Sequence, residues 1–204
     1  LSSAWRTVDL PPAEGRPTRL VFVPCVVTGA KLWHLRQASS FYTRFGFWDR
    51  VAAVPPGAPV MLVLGEIDCR EGVLRAVQRG KYKSIEEALG GLVDLYVRLL
   101  HEVRRRLPRS PVFVHPVASA LPETRFLTIA FNHLLGAAAQ ELQGVARLLD
   151  FGAVLQGGEP DLSLGPEGLA KLELLESLKL DGTHMAPAYV DSHLAPALDR
   201  AWRA

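Results

Sequence analysis

The sequence predicts an α/β fold, a three-layer parallel sheet with helices on both faces, and three observations carry that expectation. Short apolar runs recur at residues 19–27, 59–65, 111–115 and 146–155, several of them rich in β-branched residues. Long amphipathic stretches separate the later runs, over residues 84–107 and 123–141. Continuous rather than alternating apolarity marks strands buried on both faces, and helices between such strands are the crossovers of a parallel sheet.

Taken in order, residues 1–18 carry Pro11-Pro12, Gly15 and Pro17 with little periodicity and read as an irregular amino-terminal arm. Residues 19–204 then form one domain, a size able to bury a substantial core. Arg19-Leu-Val-Phe-Val-Pro-Cys-Val-Val27 reads as a buried parallel strand. Pro24 lacks an amide donor, which ends the regular strand near Val23 and leaves Cys25 on its exit. Residues 39–58 hold Phe41, Tyr42, Phe45, Phe47 and Trp48 together with Pro55-Pro56-Gly57. They predict an irregular segment or short strand closed by a turn, its aromatics in the core. Pro59-Val-Met-Leu-Val-Leu-Gly65 is the second central strand.

Ser84-Ile-Glu-Glu87 is a capping box, in which the serine hydroxyl takes a backbone amide and the later carboxylate reaches back. A helix follows in which Ile85, Leu89, Leu92, Tyr96, Leu99 and Val103 recur on one face, and Pro108 stops it. Gly90-Gly91, costly inside a helix, suggests close packing on the sheet. Pro111–His115 is a third strand, Glu123–Glu141 a helix and Ala146–Leu155 a fourth strand. Residues 156–168 are a Gly- and Pro-rich loop, 169–178 a short amphipathic helix, and 187–202 a terminal helix that Pro196 fits poorly.

Charge narrows the function classes. With 23 basic and 21 acidic residues the formal net charge is +2, so nothing points to nucleic acid or an anionic membrane. Arg104-Arg105-Arg106 falls in the last turn of a helix, where it complements the helix dipole. No apolar run approaches the ~20 residues of a membrane span, and no signal peptide is visible. The chain reads as soluble and, with two cysteines and no disulfide framework, as intracellular; a start at Leu1 rather than Met leaves open a targeting segment upstream.

The strongest catalytic signal is Leu180-Asp-Gly-Thr-His-Met-Ala-Pro-Ala188. An acid and a histidine three apart, held before a helix that starts at Pro187, give an imidazole base and a carboxylate to fix its tautomer. Asp181 and His184 are therefore the candidate catalytic pair. Ligands of open parallel sheets bind outside the carboxyl ends of the strands, and the other polar candidates fall there too. Cys25 follows the first strand, Glu66, Asp68, Cys69 and Arg70 the second, and His115 the third. Each has a plainer structural reading: an ion pair for Glu66 and Arg70, a carbonyl-bonded core histidine for His115, a small hydrophobe for Cys69.

This constellation resembles the SGNH, or GDSL, hydrolase superfamily over roughly residues 19–202. Two motifs carry the likeness, Gly65-Glu-Ile-Asp68 and Asp181-Gly-Thr-His184-Met-Ala-Pro187. The resemblance implies a flavodoxin-like parallel sheet and an esterase without metal or cofactor, with His184 as general base, Asp181 orienting it and backbone amides forming an oxyanion hole; Gly29, Gly65, Glu66, Asp68, Arg70 and His115 are the binding or oxyanion candidates. It implies a small-molecule substrate, an acyl or acetyl ester, a thioester or a glycan-type ester.

The sequence departs from the pattern in two places. No Gly-Asp-Ser follows the first strand, and matching the family's spacing to Gly29 puts Cys25 in the nucleophile position. The oxyanion asparagine would fall at Ile67; the one asparagine in the chain is Asn132. A thiolate beside a histidine is a competent nucleophile, so an atypical hydrolase is the leading reading. The alternative is an inactive SGNH-fold module that binds a ligand or protein through Glu66, Asp68, Arg70 and His184. A metal or redox site built from Cys25, Cys69 and His115 or His184 is a third reading that no Cys-x-x-Cys spacing supports.

Overall fold

The computed structural model describes residues 6–14, 17–118, 121–155, 175–180 and 185–203. Among them lie a two-stranded antiparallel sheet and a three-stranded parallel sheet, with helices between the parallel strands. The parallel sheet runs β3 (Val60–Leu62), β4 (Val112–Val114), β5 (Arg147–Leu148), in register Val60↔Val112 and Phe113↔Arg147. Both crossovers step the same way across the sheet, which puts their helices on one face. These are α3 (Ile85–Arg106) and α4 (Arg125–Ala137).

The two faces follow from the two-residue period of a strand. Leu62, Val112 and Val114 point into a large cluster with Leu92, Tyr96 and Leu100 of α3 and Leu127 and Phe131 of α4. Phe113, Met61 and Leu149 point the other way, into a second cluster with Leu194, Ala197 and Leu198 near the carboxyl terminus and Val8, Leu10, Leu20 and Phe22 near the amino terminus. Central strand β4 is thus buried on both sides, as its apolar run predicts.

The amino-terminal segment departs from the expected irregular arm. β1 (Arg6–Asp9) pairs antiparallel with β2 (Arg19–Phe22), and Val8 and Leu10 are buried. The prolines are confined to the connecting loop, while Leu10 donates its amide to the Thr18 carbonyl at 2.7 Å. Arg19 meets Asp9 at 2.6 Å across the strand pair. Arg6 reaches Asp191 at 3.1 Å and ties the hairpin to the carboxyl-terminal segment. β2 is correspondingly short and lies outside the parallel sheet, with Val21 53% and Val23 54% exposed. Within β2 only Leu20 and Phe22 face the core, although the apolar run is continuous.

Residues 42–52 form a helix, α1 (Tyr42–Ala52), where an irregular segment is the sequence expectation. Thr43, Phe47 and Val51 recur every fourth residue and are its buried stripe. The aromatics at Phe41, Tyr42 and Phe45 remain exposed rather than joining the core. α2 (Val73–Gln78) follows a π-turn at Asp68–Gly72.

The long helix matches expectation. Ser84 Oγ accepts the Glu87 amide at 3.2 Å, and Glu87 Oε2 reaches back to the Lys83 amide at 2.7 Å, one residue before the usual capping-box donor. Gly90 and Gly91 do not touch the sheet: a Cβ at Gly91 would lie 3.0 Å from the Tyr82 hydroxyl, and one at Gly90 would meet open space. Arg105 and Arg106 both bond Glu102 at 2.7 Å, holding its carboxyl down to about 2.

After β5 a short helix, α5, spans Gly152–Leu155. The chain ends in a π-turn at Val190–Leu194 that runs into a terminal helix at Ala195–Arg203. The π-turn resolves Pro196: it stands second in the α-helical segment, where a missing amide and a fixed φ cost least. No helix among the described residues is long and apolar enough to cross a membrane.

Candidate functional site

The exit of β3 is built around Gly65. Its φ is 111°, and a Cβ there would stand 3.0 Å from Phe131 and 3.1 Å from Val117, so both backbone and space demand glycine. The tight turn delivers Glu66, Asp68 and Arg70 in succession, and each has a structural partner. Arg70 Nε donates to Glu66 at 2.7 Å, and Arg70 Nη1 pairs with Glu71 at 3.0 Å. Glu71 in turn meets Lys31 at 3.4 Å.

Asp68 is 2% exposed. Its Oδ2 accepts the Leu32 amide at 2.7 Å and its Oδ1 the Trp33 amide at 3.2 Å. These are first-turn donors of the 3-10 turn Leu32–Leu35, which Lys31 does not cap with its own side chain. Burial pushes the Asp68 carboxyl up to about 6, and the two amides hold it below what burial alone would give.

His115 leaves β4 on the adjacent exit, donating its amide to the Leu62 carbonyl at 3.0 Å. Its Nδ1 lies 2.6 Å from the Pro116 carbonyl, an acceptor only, so the proton of the neutral ring sits on Nδ1. Nε2 is then an acceptor, buried and with no partner among the described residues. Phe151 and Tyr189 stand edge-on to the ring at 5.0 and 5.7 Å. Burial drives the imidazole down to about 4, against the Pro116 bond.

Cys25 is not brought to these exits by any described contact. It is exposed on the chain after β2, its Sγ 3.7 Å from the Val23 carbonyl. Gly29, at φ 70°, closes a turn nearby, where a Cβ would meet the Tyr42 hydroxyl at 3.7 Å. Cys69 is wholly buried and its thiol is pushed up, chiefly by burial. No group of three or more His, Cys, Asp or Glu side chains among the described residues is arranged to hold a metal ion. Asn132 is committed elsewhere: Oδ1 accepts the Val117 amide at 2.9 Å and Nδ2 donates to the Val117 carbonyl at 2.8 Å.

Asp181 and His184 lie outside the described residues, as do the loop expected over 156–168 and most of the helix expected over 169–178. The residues on either side of the pair are anchored. Lys179 and Met185 form an antiparallel bridge, and Ala186 donates to the Leu178 carbonyl at 2.7 Å. Tyr189, four residues beyond Met185, is the ring that packs on His115.

One cavity stands next to the Gly65 turn that the sequence reading did not single out. It has a volume of about 160 Å³ and lies between the Leu32–Leu35 turn, α2 and the start of α3. Lys31, Arg75, Arg79 and Lys81 line it, with Trp33 and Tyr82 among its walls. The legible signal was Arg75 and Arg79, one helical turn apart, followed at once by Lys81. Compared with known families, curated proteins and solved structures, the chain matches none.

Proposed function

We propose that the chain is an SGNH-like ester hydrolase on a flavodoxin-like scaffold, with His184 as general base and Asp181 orienting it. The observation that carries this reading is the contact between Tyr189 and His115. It holds the carboxyl-side flank of the Asp181–His184 segment at the carboxyl end of β4, the edge where open parallel sheets bind ligands. The Gly65 turn, whose glycine is sterically required, supports the same edge as the site. Cys25 is the candidate nucleophile, an exposed thiol open to alkylation or acylation. The substrate class is a small ester or thioester.

A second reading, an SGNH-fold binding module, is favoured by Asn132, which clamps Val117 instead of serving as an oxyanion donor. Losing one such donor typically costs about two to three orders of magnitude in rate. The internal partners of Asp68, Glu66 and Arg70 leave such a module to bind through other groups than these three.

Hydrolysis of p-nitrophenyl esters of two to sixteen carbons separates the two. The hydrolase reading expects slow turnover of short chains that falls ~100-fold or more in His184→Ala, the usual range for a general base. Retention in Cys25→Ser with loss in Cys25→Ala assigns the thiol; retention in both assigns another hydroxyl. Turnover that is unchanged in His184→Ala removes the mechanism.

A further inference from the structure

We propose that the cavity beside the Asp68 turn is a binding site for the phosphate or sulfate group of a small organic ligand, gripped by Arg75, Arg79 and Lys81. Three separate pieces of chain supply its cations. Lys31 comes from the turn after β2, Arg75 from α2, and Arg79 and Lys81 from the link between α2 and α3. Cations merely solvated on a helix face have no reason to converge from three segments onto one concavity.

The charge balance within the cavity is one-sided. Of the two carboxylates at this spot, Asp68 has both oxygens on the Leu32 and Trp33 amides, and Glu71 is paired with Lys31 and Arg70. Glu71 also exerts a weaker pull on Arg75. No carboxylate among the described residues stands within ion-pair distance of Arg75, Arg79 or Lys81. Arginines with free forks are suited to two oxygens of a tetrahedral anion at once, and a lysine supplies a further point charge.

The walls define the rest of the ligand. Trp33 and Tyr82 meet edge-to-face at 6.0 Å, and Lys81 Nζ lies 5.5 Å from the indole centre. Arg36 covers the indole at 3.8 Å. A few convergent polar groups on an aromatic wall are the usual make-up of a small-molecule site. The cavity leaves room for an oxyanion and part of an attached ring. This inference does not rest on the hydrolase reading, since neither Asp181 nor His184 takes part.

The test is isothermal titration of the full chain with sodium sulfate, sodium phosphate, glucose 6-phosphate and glucose 6-sulfate, with glucose and ionic-strength-matched sodium chloride as controls. At least one of the four anions is expected to bind saturably while the controls do not. Arg75→Gln with Arg79→Gln should weaken that binding by roughly tenfold or more, as expected for lost charge-assisted hydrogen bonds. Lys81→Gln should weaken it less. All three side chains are exposed, so unchanged circular dichroism and melting of the unliganded variants will confirm that they fold. Tighter binding of a sugar ester than of the inorganic ions identifies an organic ester as the ligand; equal binding identifies the free ion. No saturable binding of any anion, an equal response to sodium chloride, or unchanged affinity in the double variant overturns the proposal.

Discussion

Asp68 Oδ2 accepts the backbone N–H of Leu32 at 2.7 Å across a separation of 36 residues. One carboxylate thereby fastens the chain leaving β2 to the turn leaving β3, and it supplies the cap that the 3-10 turn lacks locally. Asp68→Ala leaves the Leu32 and Trp33 amides without their acceptor. The expected cost is about 2–3 kcal/mol by urea denaturation, given roughly 1–3 kcal/mol for a buried polar group left unpaired. Amide exchange at Leu32 and Trp33 should accelerate more than at Leu92 or Leu100, which sit inside α3. Equal acceleration everywhere would mean that the carboxylate does not hold this turn.

Gly65 makes a sharper test of the same turn. Gly65→Ala combines a left-handed backbone with a Cβ 3.0 Å from Phe131, and its destabilisation is expected at about 2 kcal/mol or more, the upper part of the range for strained backbone. Gly90→Ala provides the contrast. Its added methyl meets open space within α3, and the helix should gain up to ~1 kcal/mol. Thermal melting of the two variants should therefore move in opposite directions.

The two thiols differ in access and in basicity. Cys25 is exposed, while Cys69 is wholly buried with its thiol pushed up by burial and by the nearby Asp68 and Glu66 charges. Titration with a chromogenic disulfide should show one thiol equivalent reacting fast in the native state and the second only on unfolding. Mass spectrometry after brief alkylation should place the label on Cys25. Two equivalents reacting together would contradict the burial of Cys69.

Legibility in the sequence followed the range of the forces involved. The α3 boundaries were readable because a local cap and a terminating proline fix them, and β3 and β4 because burial on both faces writes a continuous apolar run. β1 was hidden because only Val8 and Leu10 mark its buried side, and Pro11-Pro12 next to them dominates the local pattern. α1 was hidden because exposed Phe41, Tyr42 and Phe45 obscure the four-residue spacing of Thr43, Phe47 and Val51. At the candidate site, the motif Gly65-Glu-Ile-Asp68 was visible, yet the partner of Asp68 was not. A side chain that caps a turn 36 residues away leaves no local trace. The basic cavity shows in the sequence only through Arg75, Arg79 and Lys81; that Lys31 and Trp33 complete it is a product of tertiary packing.

Asp68 and His115 are buried groups displaced in opposite directions, and their effects on stability should cancel. Burial raises Asp68 from 3.8 to about 6, so its contribution is fully present below the unfolded value and is lost as pH rises through 6. Burial lowers His115 from 6.5 to about 4, so its contribution is present above 6.5 and is lost as pH falls through 4. Between about pH 4 and 6, unfolding releases a proton from Asp68 and takes one up at His115, and the two slopes offset. Each slope is at most about 1.4 kcal/mol per pH unit. Asp68→Asn removes one side of the balance, and its stability relative to the unsubstituted protein should rise with pH across this window. His115→Gln, which can still donate to the Pro116 carbonyl, should do the reverse. Urea denaturation of all three proteins at half-unit steps from pH 4 to 6.5 measures both differences, and referring each variant to the unsubstituted protein removes the shared background of other carboxylates such as Glu102 and Asp9. Parallel curves for the three would show that neither group is held in the displaced state that its burial requires.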